Sequence, residues 1–165
     1  MTIRHILSGA AAALLALSAA SAARAFEVVE KGIRIVDPWT PATLRPNLGN
    51  AVYMLIVNET AAPVHLTGVK SAAARANSLH VTVFADDGVT RMLRIIEVEI
   101  LPGESLVLEP EAMHIMMTTL AAPLVKDQTV PVTLTFRELG DITVDVMVEG
   151  ATAMEPRERP NPPAR

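Results

Sequence analysis

Four side chains in this sequence could do chemistry together: His80, Met92, His114 and Met116. Two are imidazoles and two are thioethers, and all four are neutral ligands. Thioether sulfur is soft and favours Cu(I), and imidazole accepts copper or zinc. Zinc and iron would be served better by carboxylate, thiolate or more histidine. Calcium and magnesium require oxygen ligands. A neutral set leaves a bound Cu(I) with its own single positive charge. No thiolate is present to be oxidised. Such a site suits holding Cu(I) and handing it on, more than cycling electrons.

Spacing says how strands could gather the four. In His114-Ile115-Met116, residues i and i+2 of an extended strand face the same side. His80 and Met92 are equidistant from Asp86 in the loop sequence Ala85-Asp86-Asp87-Gly88. A hairpin turning about Asp86 makes His80 and Met92 cross-strand neighbours, with Cβ atoms about 5 Å apart. A one-residue slip in register would send Met92 to the other face.

The elements that must hold these residues are short, β-branched runs: Ile33–Val36, Ala51–Val57, Val64–Lys70, Leu79–Phe84, Val89–Val98, Ser105–Leu108, His114–Leu120, Val130–Arg137 and Ile142–Val148. Pro102-Gly103 and Leu139-Gly140-Asp141 read as turns, the second as a hairpin. The loop Asp37–Asn50 carries three prolines and could pack over one end. No segment shows a long helical apolar stripe. Strands with turn signals every 8–12 residues imply an all-β antiparallel sandwich or barrel.

The chain has 165 residues, half of them apolar, and a formal charge of −4. It contains no cysteine. That removes disulfides, cysteine zinc sites, iron–sulfur ligation, covalent haem, thiol nucleophiles and the thiolate of a blue-copper centre. The acidic balance offers no basic patch to replace phosphate counterions, so nucleic acid is not an expected partner.

Residues 1–25 have the layout of a cleavable secretory signal peptide. A basic start precedes the uncharged run Ile6–Ala20, and Ala23-Arg24-Ala25 supplies small residues at the cleavage site. No cysteine follows, so no lipid membrane anchor is expected. The expected location is periplasmic. Residues 26–150 form one domain, and 151–165, with four prolines among charges, read as a solvated, disordered tail.

The spacing His80-Val81, ten residues, Met92, twenty-one residues, His114-Ile115-Met116 resembles the signature of the PCuAC-type periplasmic copper(I) chaperone family. Gly49-Asn50-Ala51-Val52-Tyr53 leading to Val57-Asn58 is similar to that family too. So are Leu101-Pro102-Gly103-Glu104 and Val132-Thr133-Leu134-Thr135-Phe136. The resemblance spans roughly residues 33–148. It implies a single cupredoxin-like Greek-key antiparallel β-sandwich or barrel with one Cu(I), held by His80, Met92, His114 and Met116. It also implies delivery of copper to the dinuclear copper centre of a cytochrome c oxidase subunit, often with a thioredoxin-like assembly partner. A monomer is expected. Two departures stand out. Val81 occupies the place of an optional Met, and the tail lacks His/Met enrichment, which argues against a second, Cu(II) site.

Other residues receive plainer readings. Met54, Met113, Met117 and Met147 are expected to pack in the core, with Met113 and Met117 placed to shield the metal. His65 reads as a hydrogen-bonded structural residue, Trp39 as packing, and Asp86-Asp87 as a solvated hairpin tip. Competing functions are copper storage or detoxification on the same fold, and a metal-free β-sandwich binding module. An enzyme is not expected: no Ser/His/Asp arrangement, phosphate loop or dinucleotide fingerprint is present.

Overall fold

The structure, a computed structural model, describes residues 26–45, 48–86 and 88–157. The expected signal peptide and Asp87 lie outside the described residues, as does the tail beyond residue 157.

Eleven strands and no helix make up the described chain: β1 (Glu27–Glu30), β2 (Ile33–Pro41), β3 (Asn50–Asn58), β4 (Val64–Lys70), β5 (Ala74–Phe84), β6 (Thr90–Ile95), β7 (Val98–Ile100), β8 (Ser105–Leu108), β9 (Met113–Leu120), β10 (Thr129–Phe136) and β11 (Gly140–Glu149). The order is β6-β5-β9-β3-β2-β11-β10-β4-β7, with β1 on β2 and β8 on β3. Every pairing is antiparallel except β2 with β11, which run parallel through Trp39↔Met147. The all-β class and the cupredoxin-like architecture are those expected.

Alternation builds the core. Val130, Val132, Leu134 and Phe136 of β10 are buried, as are Ile142, Val144, Val146 and Val148 of β11. These period-two sets put one face of each strand inside and leave the other wet. Ile33, Ile35, Val52, Met54 and Ile56 join the same cluster from β2 and β3. The β10–β11 hairpin closes over residues 137–139, with Gly140 at φ +75° starting β11.

Three stretches differ from the sequence expectation. The run 89–98 splits into β6 and β7, because Ile96 and Glu97 leave the ladder between them. The segment Asp37–Pro41 is strand, entered through a bulge between Val36 and Trp39. Strand β5 starts at Ala74, where the polar sequence Arg75-Ala76-Asn77-Ser78 hides a strand that pairs with β9.

β3 links the site to the rest. Its N-terminal half pairs with β9 and its C-terminal half with β8. An asparagine fixes each end. Asn50 Nδ2 donates to Thr40 Oγ1 and to the Pro41 carbonyl. Asn58 Nδ2 donates to the carbonyls of Ala62 and Ile100, while its Oδ1 accepts from Thr60. The Pro102-Gly103 turn docks on the same residue: Gly103 N donates to the Asn58 carbonyl.

Candidate metal centre

Register places the histidines together. His80 of β5 lies directly opposite His114 of β9, with ring centroids 6.1 Å apart. Metal–nitrogen bonds of about 2 Å would let one nitrogen of each ring face a shared ion at that separation. The pair sits in a transverse row across five strands. Trp39 pairs with Tyr53, whose ring stands edge-on to His114 at 6.4 Å. Beyond His80, Arg94 of β6 closes the row as its cross-strand partner. Trp39 and Tyr53 pack with ring centroids 4.7 Å apart and planes tilted by 42°. His114 is buried even though its neighbour Ile115 fills the opposite, core face of β9. Rings on either side cover the outer face at this level.

Each imidazole has one nitrogen committed. His114 Nδ1 donates to the Ala112 carbonyl at 3.1 Å, which leaves Nε2 with the lone pair. His80 Nε2 shares a 2.9 Å hydrogen bond with Ser78 Oγ. His80 Nδ1 is buried and has no hydrogen-bond partner among the described residues. A buried ring nitrogen without a partner is costly unless something else binds it. Burial, then the neighbouring His114 and Arg94, hold the His80 pKa below its ordinary 6.5. A ring kept neutral is the form that ligates a metal. Burial also pushes the Tyr53 phenol above its usual value.

The two methionines flank this pair from opposite ends. Met116 is two residues along β9 from His114 and pairs with Ser78 and Ala51. Its methyl lies over Gly49: a Cβ added there would stand 2.4 Å from Met116 Cε. Met92 is opposite Thr82, not His80, and is 49% exposed on the edge strand β6. The expected turn about Asp86 is thus displaced by two residues of register. The reason is the loop: Ala85 N bonds the Val89 carbonyl, Gly88 N bonds the Ala85 carbonyl, and Gly88 takes φ +75°. A two-residue shift preserves the face, so Met92 still shares it with His80. On an ideal sheet, four residues of offset and two strand spacings put the Met92 and Met116 Cβ atoms roughly 16 Å apart. The structure therefore brings His80 and His114 together, sets Met116 beside them, and leaves Met92 one step out on the hairpin.

The other residues separate cleanly. Met54 and Met117 belong to the core, and Met113 packs against it. Met113 and Met117 alternate with His114 and Met116, so they point away from the site and do not shield it. Met147 is only half-buried, beside Trp39. His65 Nδ1 bonds Glu138 Oε1 at 2.6 Å, remote in fold from the pair. Trp39 is a strand residue that ends the row; its position was hidden by the flanking prolines. Ser78 and Gly49 are the residues that sequence reasoning missed. Gly49 stood in the Gly-Asn-Ala-Val-Tyr stretch, which was a signal without a reason until Met116 supplied one. Ser78 carried no signal beyond its spacing of two from His80. Among the described residues no group of three or more His, Cys, Asp or Glu is placed to hold a metal ion.

The LpqE-like family model matches residues 33–148, the interval that holds all four of these residues. The chain belongs to the LpqE-like family. Among solved structures, this LpqE-like chain is similar to the apo PCuAC domain of PmoF2, at 29% identity and a TM-score of 0.65. That match covers 78% of this chain and 98% of that one. The copper-bound PCuAC domain from PmoF2 is similar at 27% identity and a TM-score of 0.63, covering 75% and 97%. The solution structure of Cu(I)-DR1885 from Deinococcus radiodurans shares the fold at 21% identity, a TM-score of 0.52 and coverage of 72% and 80%. No curated protein matches. The PCuAC-type resemblance in the spacing is thus also a resemblance in three dimensions.

Proposed function

We propose that this LpqE-like chain is an extracytoplasmic chaperone that carries one Cu(I) as cargo. The observation that carries the reading is the His80–His114 pair with its buried, unpartnered Nδ1. Both imidazoles are oriented by their other nitrogen, as ligating histidines are. The proposed attachment is His80 through Nδ1 and His114 through Nε2, with Met116 and Met92 as thioether ligands. That a similar domain, the PCuAC domain from PmoF2, is copper-bound supports the copper reading.

Loading then asks for two movements. Met116 swings its thioether off Gly49, and edge strand β6 shifts by several Å against β5 to bring Met92 toward His80 and the shared ion. β6 is bonded to no strand but β5 among the described residues, so few contacts oppose that movement. Soft, neutral, easily displaced thioethers suit transfer: a partner's ligands attack while the methionines let go.

The proposed destination is the dinuclear copper centre of a cytochrome c oxidase subunit, with a thioredoxin-like assembly protein as intermediary. Residues 1–25 are proposed as a leader removed on export to the periplasm, and N-terminal sequencing of the exported protein should begin at Phe26. A deletion strain tests the destination. Loss of oxidase activity at low copper, restored by added copper, is the expected result. Copper sensitivity with normal oxidase would instead make the protein a storage or detoxification device.

A further inference from the structure

Arg94 ends the row that contains the two histidines. It is the cross-strand partner of His80, so the two side chains leave the sheet on one face with Cβ atoms about 5 Å apart. No ion pair or hydrogen bond joins it to a carboxylate among the described residues. No Asp or Glu stands in the row Trp39–Tyr53–His114–His80–Arg94 or beside it at Ser78, Met116, Thr82 and Met92. The candidate ligands are all neutral. The fixed charge nearest His80 in this row is therefore one guanidinium, which stays protonated at any physiological pH.

We propose that Arg94 is a specificity-determining residue that biases this site toward a monovalent ion. The inference rests on the copper reading above. A positive charge beside the site repels Cu(II) twice as strongly as Cu(I), because the energy scales with the product of the charges. The same charge weakens retention of Cu(I) a little, which assists release. Arg94 is exposed, so solvent screens the effect and limits it to a modest factor. It acts through space on the ion and need not touch it.

A charge series tests this: Arg94→Lys, Arg94→Gln and Arg94→Glu, each checked for an unchanged thermal midpoint without copper. Cu(I) affinity is measured against a chromophoric Cu(I) chelator and Cu(II) affinity against glycine, at low and at high salt. The preference for Cu(I) over Cu(II) should fall about three- to tenfold in Arg94→Gln and by a similar further step in Arg94→Glu. The first step corresponds to a reduction potential lower by about 30–60 mV. Arg94→Lys should keep the parent preference, and high salt should compress the series. Equal preference in all four proteins, or Lys behaving like Gln, overturns the proposal. Parent protein that takes up no Cu(I) at all overturns the copper reading itself, and this inference falls with it. If Arg94→Glu does not fold, the Lys and Gln variants decide the matter alone.

Discussion

Two histidine environments on this molecule do opposite things with the same side chain. His65 on β4 is ringed by acid. Its Nδ1 lies 2.6 Å from Glu138, and its Nε2 lies 3.5 Å from Glu99 and 3.7 Å from Glu97. Arg137 ties Glu97 into the same network. Every ring nitrogen there has an oxygen to face. His80 and His114 face each other, and among the described residues their hydrogen bonds go only to the hydroxyl of Ser78 and the carbonyl of Ala112. The charge nearest His80 in their row, that of Arg94, is positive. The first arrangement consumes the lone pairs and N–H groups of its ring in surface electrostatics. The second leaves a nitrogen on each ring uncommitted and supplies soft sulfur around them. Charged surroundings make a structural histidine, and a neutral, sulfur-flanked pair makes a candidate carrier of a soft ion.

Replacing the two rings should separate the regions most strongly. His80→Ala or His114→Ala is expected to lower Cu(I) affinity at least about a hundredfold, because a ligand is worth more than the second-sphere contacts that typically cost 10–100-fold. His65→Ala should leave Cu(I) affinity unchanged and move the thermal midpoint by no more than a few degrees, since exposed ion pairs contribute little. Competition titrations and thermal melts on the three variants read both quantities. Copper affinity that drops in His65→Ala would erase the contrast.

The next effect sharpens how the pair is held. Ser78→Ala removes the hydrogen bond that orients His80. About a tenfold loss in Cu(I) affinity is expected, and long-range nitrogen NMR should show the two tautomers of His80 mixing. An unchanged tautomer and affinity would mean that packing alone orients the ring. Gly49→Ala should act on the sulfur side of the site. The added methyl would displace Met116 Cε, so a several-fold change in affinity is expected with the fold intact.

Sequence reasoning reached the fold and named the candidate residues, and stopped at their registers. Strands β4 and β8 match the apolar runs residue for residue because each is a β-branched or leucine-rich segment bounded by turn residues. The start of β5 was invisible. Arg75, Asn77 and Ser78 carry no apolar alternation, and only pairing with β9 makes them strand. Spacing put His114 and Met116 on one face, which depends on period alone. It misplaced Met92 against Thr82 because hairpin register is set by the backbone of the loop. Gly88 at positive φ decides that, and no count of residues reveals it. That His80 and His114 pair directly is a long-range fact, joining residues 34 apart in the chain.

The smallest expected effect belongs to the acidic ring around His65. Glu138 is held below its ordinary 4.5. Burial alone would raise it, and the hydrogen bonds from the His65 backbone and ring outweigh that. A carboxylate lowered on folding adds stability that is present above about pH 4.5 and lost as pH falls through the folded value. Glu138→Gln should therefore narrow its difference from the parent protein in thermal midpoint as pH drops below that point. A difference that grows in acid would reverse the assignment. Copper binding at neutral pH should be indifferent to this substitution.

The central claim is that the sulfur-flanked histidine pair binds Cu(I), and one titration tests it most directly. The protein and its Met92→Leu/Met116→Leu double variant compete for Cu(I) with a chromophoric chelator under reducing conditions. The expected result is one Cu(I) per parent chain, with a rise in thermal midpoint on loading, and a clear loss of affinity in the variant. A parent chain that withdraws no copper from the chelator, or a variant that withdraws it equally well, would contradict the account.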